Sequence, residues 1–439
     1  MNARRPLALL LPLLLQACTP ADKADGADDG AGDGGAGDDA GGDGAADDST
    51  GGDDGKDDGG DGAADGGGGD GGGDGGAATG CRATPPDPDR DRVVIVALPY
   101  ADDGSPANQW AVWRLGRDGS LTDTGARLTA GRATTGRVQF TPDGSLALAA
   151  QADGTVVVFG IDEDGVVSVI EEGWDDDIYA GTLSVHPSGE RAWLINESWP
   201  ESGGGAFAVD IDCETGALTR ADETFVTKNA NAMVHIAPDR ALVAGRLVAG
   251  GPAADELSLV QLTDRTALTS ADPFGDDEAI VSDLAAFPAN GGLLAVLADN
   301  NLFSESSNRL GPVTLRGDEM TPGAPVSVED PVSVVASPFG DAVLVSSGYG
   351  DTAFVFRVTD DDAAPLEAAG SPTWVGRGPS LPADAVVVQG GPSDGLVLLV
   401  EVEGVRRLRF VGGGEVVDLG LTGFGGGIDQ IPGAIGVQP

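Results

Sequence analysis

The chain has 439 residues and a formal net charge of −46, from 71 acidic against 25 basic residues. That balance argues against a nucleic-acid partner, because phosphate backbones need clustered Lys and Arg. With 2 His and 3 Cys there is also little from which to build a zinc, haem or iron–sulfur centre.

The first segment, residues 1–17, has the plan of a secretory signal peptide. Arg4 and Arg5 supply the positive end, and the apolar run from Pro6 to Leu15 is too short to span a membrane, which takes roughly 20 residues. The run closes on Leu15-Gln16-Ala17-Cys18. This resembles the bacterial lipobox, in which cleavage precedes a diacylated cysteine; an ordinary signal peptide that happens to contain a Cys is the alternative. The resemblance implies a mature chain beginning at Cys18 and held to a membrane by acyl chains, at about 0.8 kcal/mol per buried CH₂. Thr19, in place of an Asp retention signal, points to the outer membrane of a Gram-negative cell envelope, on its periplasmic or outer side.

Residues 18–80 follow as a lipidated Cys and linker. From Ala21 to Gly80 there is no aromatic and no large aliphatic residue, and 18 residues are Asp. Such a segment buries too little apolar surface to offset its ordering entropy, so disorder is expected. As a Gly-rich coil its ends would lie about 40–45 Å apart on average, and further with self-repulsion. Calcium is the one cofactor the Asp-Gly pattern suggests, and then only as weak association. RTX repeats need a large apolar residue in every unit, and no EF-hand ligand series is completed.

Residues 81–439 repeat themselves. The clearest unit is Arg137 to Gly144, then Ser145 to Ala150, then Gly154 to Asp162, three β-rich runs joined by Pro/Asp/Gly turn chemistry. Related runs precede Pro187, Pro238, Pro288 and Pro338, with a weaker copy at Pro382, and these prolines are spaced as four-stranded propeller blades are. The run from Arg92 looks like a second strand lacking a first, and Ala434 to Pro439 like a first strand lacking a second. Joined, they complete a seventh blade and remove the exposed sheet edges. The expected fold is therefore all-β: a seven-bladed propeller of four-stranded blades, closed by its N- and C-terminal strands.

This pattern of apolar run, Pro-Asp-Gly turn and two further strands resembles the seven-bladed YVTN and lactonase-like propellers. The Tyr-Val-Thr-Asn tetrapeptide itself is absent, as is the Trp-Asp pair of WD40 blades. The resemblance implies relatives that include phosphogluconolactonases and muconate-cyclising enzymes. Fold analogy carries no activity by itself, and no catalytic residue of those enzymes matches a position here.

Candidate residues are few. His186 and His235 sit just before turn prolines, where they suit blade packing or turn capping; no third residue beside them completes a metal site. Cys81 and Cys213 could form a structural disulfide in an oxidising compartment, although nothing in the sequence fixes their separation. Acidic runs such as Asp175 to Asp177 and Asp360 to Asp362 suit solvated turns. No nucleophile elbow, HExxH helix or phosphate loop occurs. Propeller ligands gather where strands 2 and 3 connect and where one blade leads to the next. The candidate funnel residues there are Trp174, Tyr179, Asn196, Glu197, Trp199, Asn229, Asn300, Asn301, Trp374 and Arg377. Aromatics and amides in that setting suit a peptide or glycan. The sequence thus favours a monomeric, membrane-anchored envelope lipoprotein that binds a protein, peptide or glycan, with no catalytic residue assigned. A lactonase-like hydrolase or isomerase acting on a small molecule in the funnel is the alternative.

Overall fold

Turn chemistry sets the rhythm of the chain. At Thr141-Pro142-Asp143-Gly144, His186-Pro187-Ser188-Gly189 and Ser337-Pro338-Phe339-Gly340 the closing glycine has positive φ (71°, 76° and 69°). In each, its N–H donates to the carbonyl three residues back, at 2.8, 2.8 and 3.0 Å. Proline presets the first bend and glycine accepts the left-handed conformation, so each turn folds one strand back on the next. Blade 5 turns instead on Asn290 (φ 51°) and Gly291 (φ 72°), the pair that a two-residue hairpin favours.

The computed structural model describes residues 81, 89–101, 106–131, 137–151, 155–174, 180–196, 205–225, 230–245, 255–275, 279–300, 308–348, 352–370, 373–374, 384–424, 430–431 and 433–439. The signal and linker readings for residues 1–80 lie outside them. The described strands form seven antiparallel sheets, which are the seven blades. Blade 1 is composite. Its inner strand Ile435–Val437 pairs with Arg92–Ala101, which is followed by Pro106–Leu115 and Leu121–Thr129. In register, Val94 faces Val437, Ile95 faces Gly436 and Val96 faces Ile435.

The other six blades run inner to outer in chain order. Their inner strands are Val138–Phe140, Ala180–Val185, Ala230–Ala237, Val281–Ala289, Pro331–Ala336 and Ala385–Val387, in blades 2 to 7 respectively. The segment from Val405 onwards, divisible in several ways by sequence, forms the third and fourth strands of blade 7, Gly404–Gly412 and Glu415–Gly423. Pro382 lies outside the described residues. It precedes the inner strand of blade 7, whose turn is the longer stretch from Gln389 to Asp394, with the Gly391 carbonyl accepting from the Asp394 N–H at 3.2 Å.

The core lies between blades, in seven apolar clusters, one per neighbouring pair. Val93, Ile95 and Ala97 of blade 1 meet Ala147, Ala149, Val157 and Phe159 of blade 2, and Leu284 and Leu297 of blade 5 meet Leu242 and Leu259 of blade 4. Small and branched residues suit such sheet-on-sheet contacts, and each fully buried Val or Leu contributes about 1.5–3 kcal/mol. The few large aromatics are used here as well: Trp110 meets Phe159 edge-on at 5.1 Å.

Cys81 and Cys213 are joined in a disulfide with Cα atoms 5.0 Å apart. The link pins residue 81 against blade 3, where Gly189 leaves room for it: a Cβ at that glycine would lie 1.6 Å from the Cys81 carbonyl oxygen.

Candidate active site

In every blade the inner strand starts at the same end of the ring. Val138, Leu183, Met233, Leu284, Val334, Ala385 and Ile435 occupy matching positions, each paired near the end of its blade's second strand. The residues just before them are Arg137, Thr182, Ala232, Asp283, Ser333, Asp384 and Ala434. These seven therefore lie near the starts of the strands that surround the central axis, at the end where strands 2 and 3 connect.

Three of the seven are charged, and they converge. From blade 2, Arg137 reaches Asp283 in blade 5, donating to its Oδ2 through Nη2. The same Nη2 lies 3.3 Å from Ser333 Oγ in blade 6, and Nε lies 3.4 Å from Asp384 Oδ1 in blade 7. The Arg137 side chain is 31% exposed, against 7% for Asp283 and 6% for Asp384. Among the described residues Nη1 has no hydrogen-bond partner, and the side chain is partly exposed.

Backbone amides hold the two carboxylates in place. Asp283 Oδ2 accepts from Val334 N–H at 2.6 Å and Oδ1 from Leu284 N–H at 2.7 Å. Asp384 Oδ2 accepts from Ile435 N–H at 3.0 Å and Oδ1 from Ala385 N–H at 3.0 Å. Each acid thus ties its own inner strand to the next blade's, which fixes its direction independently of Arg137.

Electrostatics separates their roles. Burial pushes Asp384 up to about 6, against the opposing pull of Arg137 and with a smaller push from Asp283. Burial raises Asp283 as well, again opposed by Arg137. Burial disfavours the Arg137 charge, but the two acids outweigh it and hold the guanidinium protonated. At neutral pH the site therefore offers a carboxylate poised to take a proton beside a fixed cation with a free donor. Those are the parts of a general base and an oxyanion stabiliser.

The histidines do different work. His186 Nδ1 accepts from Ser188 N–H at 3.0 Å, and Nε2 lies 2.5 Å from the Pro238 carbonyl, so this ring caps its turn and links blade 3 to blade 4. His235 lies within the inner strand of blade 4, not at the turn. Its Nδ1 is 3.1 Å from Ser184 Oγ, and its ring meets His186 edge-on at 5.2 Å. Among the described residues no cluster of three or more His, Cys, Asp or Glu could hold a metal.

Four of the ten funnel residues expected from sequence fall among the described residues. Tyr179, Glu197, Trp199, Asn229, Asn301 and Arg377 lie outside the described residues. Trp174 ends the outer strand of blade 2 and packs half-buried against the core between blades 2 and 3. Trp374 belongs to a two-residue outer strand that pairs with Thr352 in blade 6, and Asn196 ends the second strand of blade 3. Asn300 follows the second strand of blade 5, and its N–H donates to the Ile280 carbonyl at 2.8 Å. In blade 1 the second strand continues to Ala101 and the third resumes at Pro106.

Comparison with known proteins places this geometry in a class. No family model matches the chain, and no curated protein matches it in sequence. Solved structures do. The periplasmic gluconolactonase PpgL of Pseudomonas aeruginosa superposes with a TM-score of 0.58 at 14% identity, over 80% of this chain and 99% of that one. A candidate 6-phosphogluconolactonase of Bacteroides uniformis gives 0.57 at 12% identity, over 79% and 99%. A functionally unknown protein of Desulfotomaculum acetoxidans gives 0.53 at 14% identity, over 79% and 98%. The shared feature is the fold: a seven-bladed propeller.

Proposed function

We propose that the protein is a hydrolase of small cyclic esters, acting at the mouth of the propeller channel. The observation that carries this reading is the convergence of Arg137, Asp283 and Asp384 from three blades onto one partly open point. Structural likeness to proteins described as lactonases supports it further.

In this reading the Asp384 carboxylate takes a proton from a water as its oxygen attacks the lactone carbonyl carbon. Arg137 Nη1 donates to the carbonyl oxygen as it becomes an oxyanion. The tetrahedral intermediate then collapses, the acyl C–O bond breaks, and the departing ring oxygen takes the proton back from Asp384. Asp283 and Ser333 fix the guanidinium and do not react. Loss of the base or of the oxyanion donor would each cost roughly 10²–10³-fold in rate. The test is acid release from a panel of five- and six-membered lactones, followed by pH-stat. Acceleration over spontaneous opening is expected for at least one ring size. No acceleration with any of them rules the hydrolase out.

We also propose that Cys18 carries a lipid anchor that holds the domain at the cell envelope, as the lipobox-like sequence suggests. Cys18→Ala should move the protein from the membrane to the soluble fraction. A variant that still sediments with membranes contradicts the anchor.

A further inference from the structure

The charges at the channel mouth select the substrate as well as serving the chemistry. Arg137 is one cation against two acids in contact with it, and among the described residues Nη1 is its one nitrogen without a partner. Two further guanidiniums described at the same end of the ring are already taken. Arg309 Nε lies 3.1 Å from Asp299 in blade 5, and Arg406 contacts Glu401 in blade 7 and lies 2.8 Å from Asp418. With Asp283, Asp384 and Asp418, Asp299 and Glu401 make five described carboxylates against three guanidiniums, so the pairs leave a net negative charge. A phosphate dianion needs several free N–H donors and a positive field. Among the described residues it would meet one donor beside a net excess of carboxylates. A neutral polyol fits the same groups, because carboxylate oxygens and Ser333 Oγ accept from its hydroxyls while Nη1 reaches a carbonyl.

Resting on the hydrolase reading above, we infer that the substrate is an uncharged, hydroxylated lactone and that phosphorylated lactones are rejected by charge. The same field favours release of product, since opening a neutral lactone creates a carboxylate that the two acids repel.

The test compares glucono-δ-lactone with its 6-phosphate at pH 7. The neutral compound should have at least tenfold higher kcat/KM. Raising the salt from 20 to 500 mM should increase the rate on the phosphorylated compound and leave the neutral one unchanged. Asp283→Asn should narrow the preference. If that variant does not fold, the salt series on the parent protein still decides. Equal or better turnover of the phosphorylated lactone overturns the inference and leaves the hydrolase reading standing. If neither is cleaved, calorimetry with the corresponding lactams reads the same preference as binding. Neutral-over-anionic binding then keeps the inference and removes the hydrolase reading, and equal or absent binding of the two lactams overturns the inference.

Discussion

Two side chains at the centre of the ring respond to acid in opposite senses. Burial, with a smaller push from His186, lowers His235 to about 4 from its ordinary 6.5. Between those values the unfolded chain binds more protons, so the stability from a neutral His235 is full above pH 6.5 and is lost as pH falls towards 4. Asp384 is raised from 3.8 to about 6, so the folded chain binds more protons in between. Its contribution is full at low pH and lost as pH rises through 6. Each shift amounts to about 3 kcal/mol at 1.36 kcal/mol per pK unit, so the two largely cancel between pH 4 and 6. Urea unfolding at pH 4 and pH 6.5 separates them. His235→Gln should lose about 3 kcal/mol relative to its own low-pH value as pH rises, and Asp384→Asn should gain about as much. Parallel profiles for parent and both variants would contradict these environments. The site residues were the least legible part of the sequence. Arg137 and Asp283 are 146 positions apart, and each alone reads as one more charged strand residue. Their signal is a shared place: they occupy the same register position of the inner strands, where other blades carry Thr, Ala or Ser.

The C-terminal strand closes the ring with few residues and many contacts. Ile435 is buried in the core between blades 7 and 1. Gln438 donates through Nε2 to the Gly144 carbonyl at 2.7 Å and accepts from Val93 N–H at 3.1 Å, stitching blade 1 to blade 2. One buried apolar side chain is worth about 2–3 kcal/mol and each buried hydrogen bond left unmade about 1–3 kcal/mol. Removal of residues 435–439 should therefore destabilise the whole ring by at least about 4 kcal/mol in chemical unfolding. A truncated chain as stable as the parent would refute closure by the two termini. This element was legible from sequence, because an orphan second strand at Arg92 and an orphan first strand at Ala434 need one another. Turn residues made the other blades legible too, since proline and glycine fix φ locally. Blade 7 was less legible, because its turn carries a different proline, Pro392, within the longer stretch from Gln389 to Asp394, and the spacing drew attention to Pro382 instead.

At the scale of the molecule, seven apolar interfaces hold the ring, and the channel mouth draws one charged residue from each of three blades. Blade closure and chemistry share an atom pair, because the Asp384 carboxylate that would act as base also accepts from Ile435 N–H in the closing strand. The fold alone does not assign this role, since the same propeller serves proteins of differing description. The claim rests on Asp384 working as a base held near neutrality beside Arg137. The most direct measurement is the pH dependence of kcat/KM for lactone opening in the parent protein and in Asp384→Asn, with far-UV circular dichroism confirming that both are folded. The account predicts a rise through a single ionisation near pH 6 in the parent, and a loss of about 10²-fold or more with no such limb in the variant. A folded Asp384→Asn variant with the parent's rate and profile would contradict it.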